Sequence, residues 1–134
     1  MTGAPLRAGL PRACLVVGAL FMATGLALGA VGAHVVAMRV SPRELASYDT
    51  AVLYQLLHGV GLVLVGVVAG ATGVSRRLLW SVGLMAAGVV LFCGSIYLAT
   101  AGASRDVLAV APAGGLAMMI AWVLLAAHAW APPR

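Results

Sequence analysis

Four apolar runs dominate the pattern along the chain, at residues 13–36, 51–71, 78–98 and 112–130, and none contains Asp, Glu or Arg. A membrane-spanning helix needs about 20 mostly apolar residues. Backbone groups in lipid must be satisfied within the protein, so such runs are helices, and four are too few to close a barrel. The connections are short, which makes successive helices antiparallel. The pattern predicts an all-α membrane protein, a four-transmembrane-helix up-down bundle, with the whole chain, 1–134, as one domain.

Local signals sharpen the ends. Ser41-Pro42-Arg43-Glu44 reads as a helix start: Ser41 can cap, Pro42 suits the first helical position and Glu44 completes a capping box. The second helix is therefore expected over 42–71, starting at the membrane surface ahead of its apolar run. The first run follows Arg7 and Arg12 and resembles a signal peptide, but it exceeds the usual apolar length of about 7–15 residues and is read as a retained helix. The connection over 101–111 is expected on the membrane surface. Pro42 and Pro112 each open a helix after an Arg-containing loop, a faint echo that chance explains.

Composition agrees with the pattern. Only 8% of residues are charged, against about 25% in soluble domains, too few to cover a water-facing surface. The formal net charge is +5, yet the basic residues are all Arg and form no block, which argues against nucleic acid. Their distribution speaks to orientation. Arg7, Arg12, Arg76, Arg77 and Arg134 fall on one side without acids, whereas Arg39, Arg43 and Arg105 share the other with Glu44, Asp49 and Asp106. The positive-inside rule then makes both termini cytoplasmic. Trp80 and Trp130 fit the inner interface and Tyr48 and Tyr97 the outer one, while Trp122 sits at mid-membrane and is expected between helices. The absence of Lys beside abundant Ala, Gly, Val and Arg points to a GC-rich bacterial genome, and hence to a multi-pass protein of the bacterial cytoplasmic membrane.

Helices in lipid associate through close packing at small residues. Gly25, Gly29 and Ala33, Gly66 and Gly70, Gly83 and Ala87, and Gly114 with Gly115 recur at suitable spacing. They are read as packing faces within the bundle, or as a face for self-association or docking. Cys14 and Cys93 lie in different runs without metal-ligand neighbours, so both are expected to be small packing residues.

Polar side chains concentrate in the outer half of the spans: His34 in the first, Tyr54, Gln55 and His58 in the second, Ser95 and Tyr97 in the third. At about 100° per residue, Tyr54, Gln55 and His58 share one sector of their helix. Such a face is expected to point into protein or a water-filled cavity, with Gln55 a partner of His58. Three readings stand: interhelical hydrogen bonds that fix packing; a site for a small molecule, ion or proton; or a haem or metal held by His34 and His58. Depth weighs against the last, because His58 lies roughly 9 Å further into the membrane at 1.5 Å per residue. No metal and no cofactor is expected. The sequence carries no nucleophile-base-acid set, phosphate loop or dinucleotide fingerprint, and no acid lies within a span, where a proton pump or cation transporter usually has one.

Several stretches resemble one small membrane family. Gly29-Ala30-Val31-Gly32-Ala33-His34 is similar to the glycine-rich end of its first helix, and Ala51-Val52-Leu53-Tyr54-Gln55-Leu56-Leu57-His58 to its second-helix signature. Gly94-Ser95-Ile96-Tyr97-Leu98 resembles its third-helix motif, and Pro112-Ala113-Gly114-Gly115-Leu116 with Trp122 its fourth. The family is domain of unknown function 423, which includes transmembrane protein 256, and the likeness covers about residues 15–127 in order. Gly59 and Gly61 depart from it, standing where a bulkier Ala or Leu is expected. The resemblance implies four helices and no activity. It also implies that His34, Tyr54, Gln55, His58, Ser95 and Tyr97 belong to one feature.

The function expected is a non-enzymatic accessory or scaffold component docking on a larger membrane assembly. The alternative is a small homo-oligomeric transporter or channel using the outer polar cluster. The partners expected are the lipid bilayer and a membrane-protein complex or further copies of the chain.

Overall fold

Two of the long helices start at a capping serine, Ser41 and Ser75. A computed structural model describes residues 4–130, with side chains from residue 9 onward. Its four long helices are α1 (Ala4–His34), α2 (Pro42–Thr72), α3 (Arg76–Thr100) and α4 (Ala111–Ala129), with 3-10 segments at Val36–Met38 and Arg105–Val110. Of the arginines used for orientation, Arg134 and the side chain of Arg7 lie outside the described residues.

The Ser41 box is complete. Glu44 Oε2 accepts from Ser41 N at 3.0 Å and from Ser41 Oγ at 2.8 Å, and Ser41 Oγ accepts from Glu44 N. Ser75 caps α3 through Leu78 N at 3.2 Å, which explains why α3 starts two residues ahead of its apolar run. The connection between α2 and α3 turns at Gly73, whose φ of 83° suits glycine. α1 extends further toward the N-terminus than its apolar run and ends at His34, after which the 3-10 turn buries Val36. The connection after α3 is the 3-10 helix Arg105–Val110, none of whose residues is buried.

Contact pairs run in opposite directions along neighbouring helices, so the bundle is up-down. In α1 and α2, Cys14 meets Gly66, Gly18 meets Gly59 and Gly32 meets Tyr48. In α3 and α4, Ser81 meets Ala121 and Gly88 meets Gly114. The tightest crossings fall at two glycine pairs. A β-carbon on Gly18 would lie 2.6 Å from the Gly59 carbonyl oxygen, and one on Gly88 would lie 2.8 Å from that of Gly114. Neither separation is sterically possible, so glycine is required for the backbones to meet.

This resolves the expected packing faces. Gly25 packs on Leu56, Gly66 on Cys14 and Gly114 on Phe92. Gly29 makes an ordinary contact with Val52 and Gly115 with Phe92, whereas Gly70 and Gly83 face open space and pack on nothing among the described residues. Gly59 and Gly61, the departures from the resembled pattern, both sit at close contacts: Gly59 crosses Gly18, and Gly61 lies under the Trp122 ring.

The core follows the bundle axis. Leu62 of α2, Met85 of α3 and Ala121 of α4 are completely buried at its middle, with Val65, Ala69 and Leu78 toward one end and Ala51, Val89, Cys93 and Met118 toward the other. Both cysteines are buried and unpaired. Leu20, Leu26, Val67, Val90 and Val123 point outward and are more than half exposed, as residues facing lipid should be. The four apolar helical stretches are 25–31 residues long, more than the roughly 20 needed to cross.

Candidate functional site

The polar residues of the outer half divide into two networks. Gln55 is the hub of the first and is 5% exposed. Its Nε2 donates to the Phe21 carbonyl at 3.0 Å and to Thr24 Oγ1 at 2.8 Å, both on α1. Its Oε1 accepts from the Tyr97 hydroxyl of α3 at 2.9 Å. Thr24 in turn donates to the Leu20 carbonyl at 2.7 Å. One amide thus ties α1, α2 and α3 together at one level.

His58 centres the second network. The Trp122 indole N–H, which can only donate, reaches His58 Nε2 at 3.1 Å. That fixes Nε2 as acceptor and places the proton on Nδ1, which donates to the Tyr54 carbonyl at 2.7 Å. The imidazole is neutral, with both nitrogens engaged. Its ring stands edge-on to Trp122 with centroids 6.0 Å apart, while Tyr54 stacks on Phe92 at 5.3 Å.

The six residues expected to form one feature therefore do not. His34 is exposed. It lies nine residues beyond the buried Gly25, about 180° around the helix at 100° per residue, so it shares depth with the cluster without sharing its face. Tyr54 is 37% exposed and points outward beside Phe92. Ser95 is buried but donates to the Phe92 carbonyl of its own helix at 2.9 Å. Gln55 is not the partner of His58; Trp122 is. With His34 turned away and both nitrogens of His58 occupied, the two histidines offer no common ligand point.

One further expectation is corrected. Tyr48 and Tyr97 do not form an interfacial belt. Tyr48 is 3% exposed, donates to the Leu28 carbonyl at 2.8 Å and packs against Tyr97 with centroids 5.2 Å apart. Sequence reasoning also missed a polar knot at the opposite end of the bundle. His128 of α4 meets Thr72 Oγ1 at 3.1 Å and Ser75 Oγ at 2.9 Å, and Arg77 donates to the Ala127 carbonyl at 2.9 Å. Deeper in, the buried Ser81 donates to the Ala121 carbonyl at 2.8 Å. The signal available was three hydrogen-bonding side chains, Thr72, Ser75 and His128, predicted at one membrane face.

The profile of the family described as "Protein of unknown function (DUF423)" matches residues 28–115. The chain belongs to this family. Three of its relatives in DUF423 are named "UPF0382 membrane protein". One, from Staphylococcus haemolyticus, is 34% identical over 111 residues, covering 83% of this chain and 89% of the relative. One from Staphylococcus saprophyticus is 32% identical, covering 83% and 91%, and YwdK of Bacillus subtilis is 31% identical, covering 83% and 90%. No solved structure matches the chain. The DUF423 match takes in Tyr54, Gln55, His58 and Tyr97 but not Leu20, Phe21 and Thr24 of α1 or Trp122 of α4. The chain is a multi-pass membrane protein with bacterial relatives, and its surroundings are the lipid bilayer.

Proposed function

We propose that this chain is a non-enzymatic accessory or scaffold component of the bacterial cytoplasmic membrane that docks on a larger membrane assembly. The observation that carries the proposal is the aromatic face around His58. Tyr54 and Trp122 flank the imidazole at 6.2 and 6.0 Å and are 37% and 39% exposed. Tyr54 lies about 18 Å along α2 from Pro42, at 1.5 Å per residue, and its hydroxyl has no hydrogen-bond partner among the described residues. A hydroxyl left unpaired in an apolar medium is unfavourable, and a helix of another protein laid on this face would supply an acceptor. The inner polar groups support the same reading: Gln55 and His58 direct their hydrogen bonds within the chain, as a scaffold requires.

Orientation is part of the proposal. Arg12, Arg76 and Arg77 are exposed at the end of the bundle that also exposes Trp80 and Trp130. By the positive-inside rule that end, with both termini, is cytoplasmic.

A pull-down in mild detergent tests the docking. A membrane protein that co-purifies in fixed stoichiometry and is lost with Tyr54→Phe supports it. A lone homo-oligomer, stabilised thermally by a solute and indifferent to Tyr54→Phe, overturns it in favour of a small transporter or channel.

A further inference from the structure

A second feature stands apart from the aromatic face. At the end of the bundle where α2 begins, a cleft of about 650 Å³ opens between the first turns of α2, the last turns of α3 and the 3-10 helix Arg105–Val110. Its rim is polar, carrying Ser41, Arg43, Glu44 and Arg105, and its wall is apolar, including Ile96 and Leu108. Polar rim and apolar wall follow from position, because this is where helices that cross hydrocarbon meet the headgroup layer.

The charges on the rim are not balanced. Glu44 pairs with Arg105, and its other oxygen takes both donors of Ser41. The Glu44 carboxylate is thereby matched, and the cation left over on the rim is Arg43. A guanidinium beside an apolar wall, at headgroup depth, recognises a phosphate that carries a hydrocarbon chain.

We propose that this cleft binds an anionic phospholipid, with the phosphate recognised by Arg43 and the start of an acyl chain lying along Ile96 and Leu108. The bound lipid braces the 3-10 helix against α2, supplementing the single ion pair between Glu44 and Arg105. A zwitterionic lipid offers the same phosphate but sets its own cation beside Arg43, so it binds more weakly. Free phosphate lacks the chain and leaves the apolar wall uncovered.

The test is a titration of the purified full chain in dodecyl maltoside, following thermal unfolding by tryptophan fluorescence. The probes are dioleoylphosphatidylglycerol, dioleoylphosphatidylcholine and inorganic phosphate. Phosphatidylglycerol is expected to raise the Tm saturably, with phosphatidylcholine and inorganic phosphate at least about tenfold weaker, a difference of about 1.4 kcal/mol. Arg43→Gln should shift the phosphatidylglycerol midpoint by about tenfold. The variant keeps the backbone carbonyl that accepts from Ser47 Oγ, and Arg43 is exposed, so the fold tolerates it. Arg39→Gln, another exposed arginine at this end but outside the cleft, should leave the midpoint unchanged. Equal shifts from Arg39→Gln and Arg43→Gln mean diffuse surface attraction and overturn the site. Saturation by inorganic phosphate alone overturns the lipid, and a Tm indifferent to all three probes overturns both.

Discussion

Trp122 of α4 donates its indole N–H to His58 Nε2 of α2 across 3.1 Å, joining two helices that are not neighbours in sequence. The bond also fixes the imidazole tautomer, because Nδ1 must then carry the proton it gives to Tyr54 O. Removing one partner strands the other in a medium with no water to replace it.

His58→Leu is therefore expected to destabilise the bundle by about 1–3 kcal/mol, the usual penalty for a stranded buried polar group. Trp122→Phe in the same background should restore part of the loss, since it removes the orphaned N–H, whereas Gln55→Leu should not. A double-mutant cycle on thermal unfolding in detergent measures this. Additive losses for His58 and Trp122 would show that the bond carries no coupling.

Gln55→Leu should cost more than Tyr97→Phe. The first leaves the Tyr97 hydroxyl without its acceptor and removes both bonds from Gln55 Nε2 to α1, at the Phe21 carbonyl and at Thr24 Oγ1. The second removes a single donor, with a typical net loss of about 0.5–1.5 kcal/mol. Urea or detergent unfolding midpoints should keep that order; the reverse order would displace Gln55 as the hub.

Glycines at the crossings should be far less tolerant than glycines on open faces. Gly18→Ala or Gly114→Ala forces backbones apart and is expected to lower stability by about 1–3 kcal/mol, the range for overpacking. Gly70→Ala and Gly83→Ala meet nothing and should be neutral or slightly stabilising, because alanine favours helix. A comparable loss at Gly70 would mean that its face is covered by something outside the chain.

The proposed orientation is checked by impermeant thiol labelling of whole cells. In a background with Cys14 and Cys93 replaced by Ala, cysteine at exposed Ser104 should react from outside, and cysteine at Trp130, 92% exposed, should not. The opposite pattern inverts the topology.

Length and hydropathy made the four spans legible, and the Ser41–Glu44 box could be read residue by residue. Faces could not be read in the same way. In a bilayer both the lipid side and the packed side of a helix are apolar, so periodicity does not mark which side is buried. Gly18, Gly59 and Gly88, which make the closest approaches, are not distinguished by spacing from glycines on open faces. Depth and the family resemblance both group His34 with the cluster, and neither specifies angle. Trp122 falls midway along its apolar run, but its partner emerges only when α2 and α4 are brought together. An indole N–H at that depth needs an acceptor at the same level, and His58 was the available one. Thr24 gave no signal, since threonine in a helix is ordinarily content with the carbonyl four residues back.

The two glycine crossings lie within sequence-adjacent pairs, α1 with α2 and α3 with α4. Each hairpin holds its own closest backbone contact before it meets the other, so assembly can proceed from short-range pairings to long-range ones. Joining the hairpins buries the core that α2 shares with α3 and α4, with Leu62 against Met85 and Ala121, and adds the directional bonds Gln55 to Tyr97 and His58 to Trp122, which set the register. A chain severed at Gly73 keeps both crossings intact within its fragments, and the shared apolar face and the polar bonds would have to find their mates. The molecule is thus divisible into two halves, joined by a shared apolar core and registered by a few polar side chains.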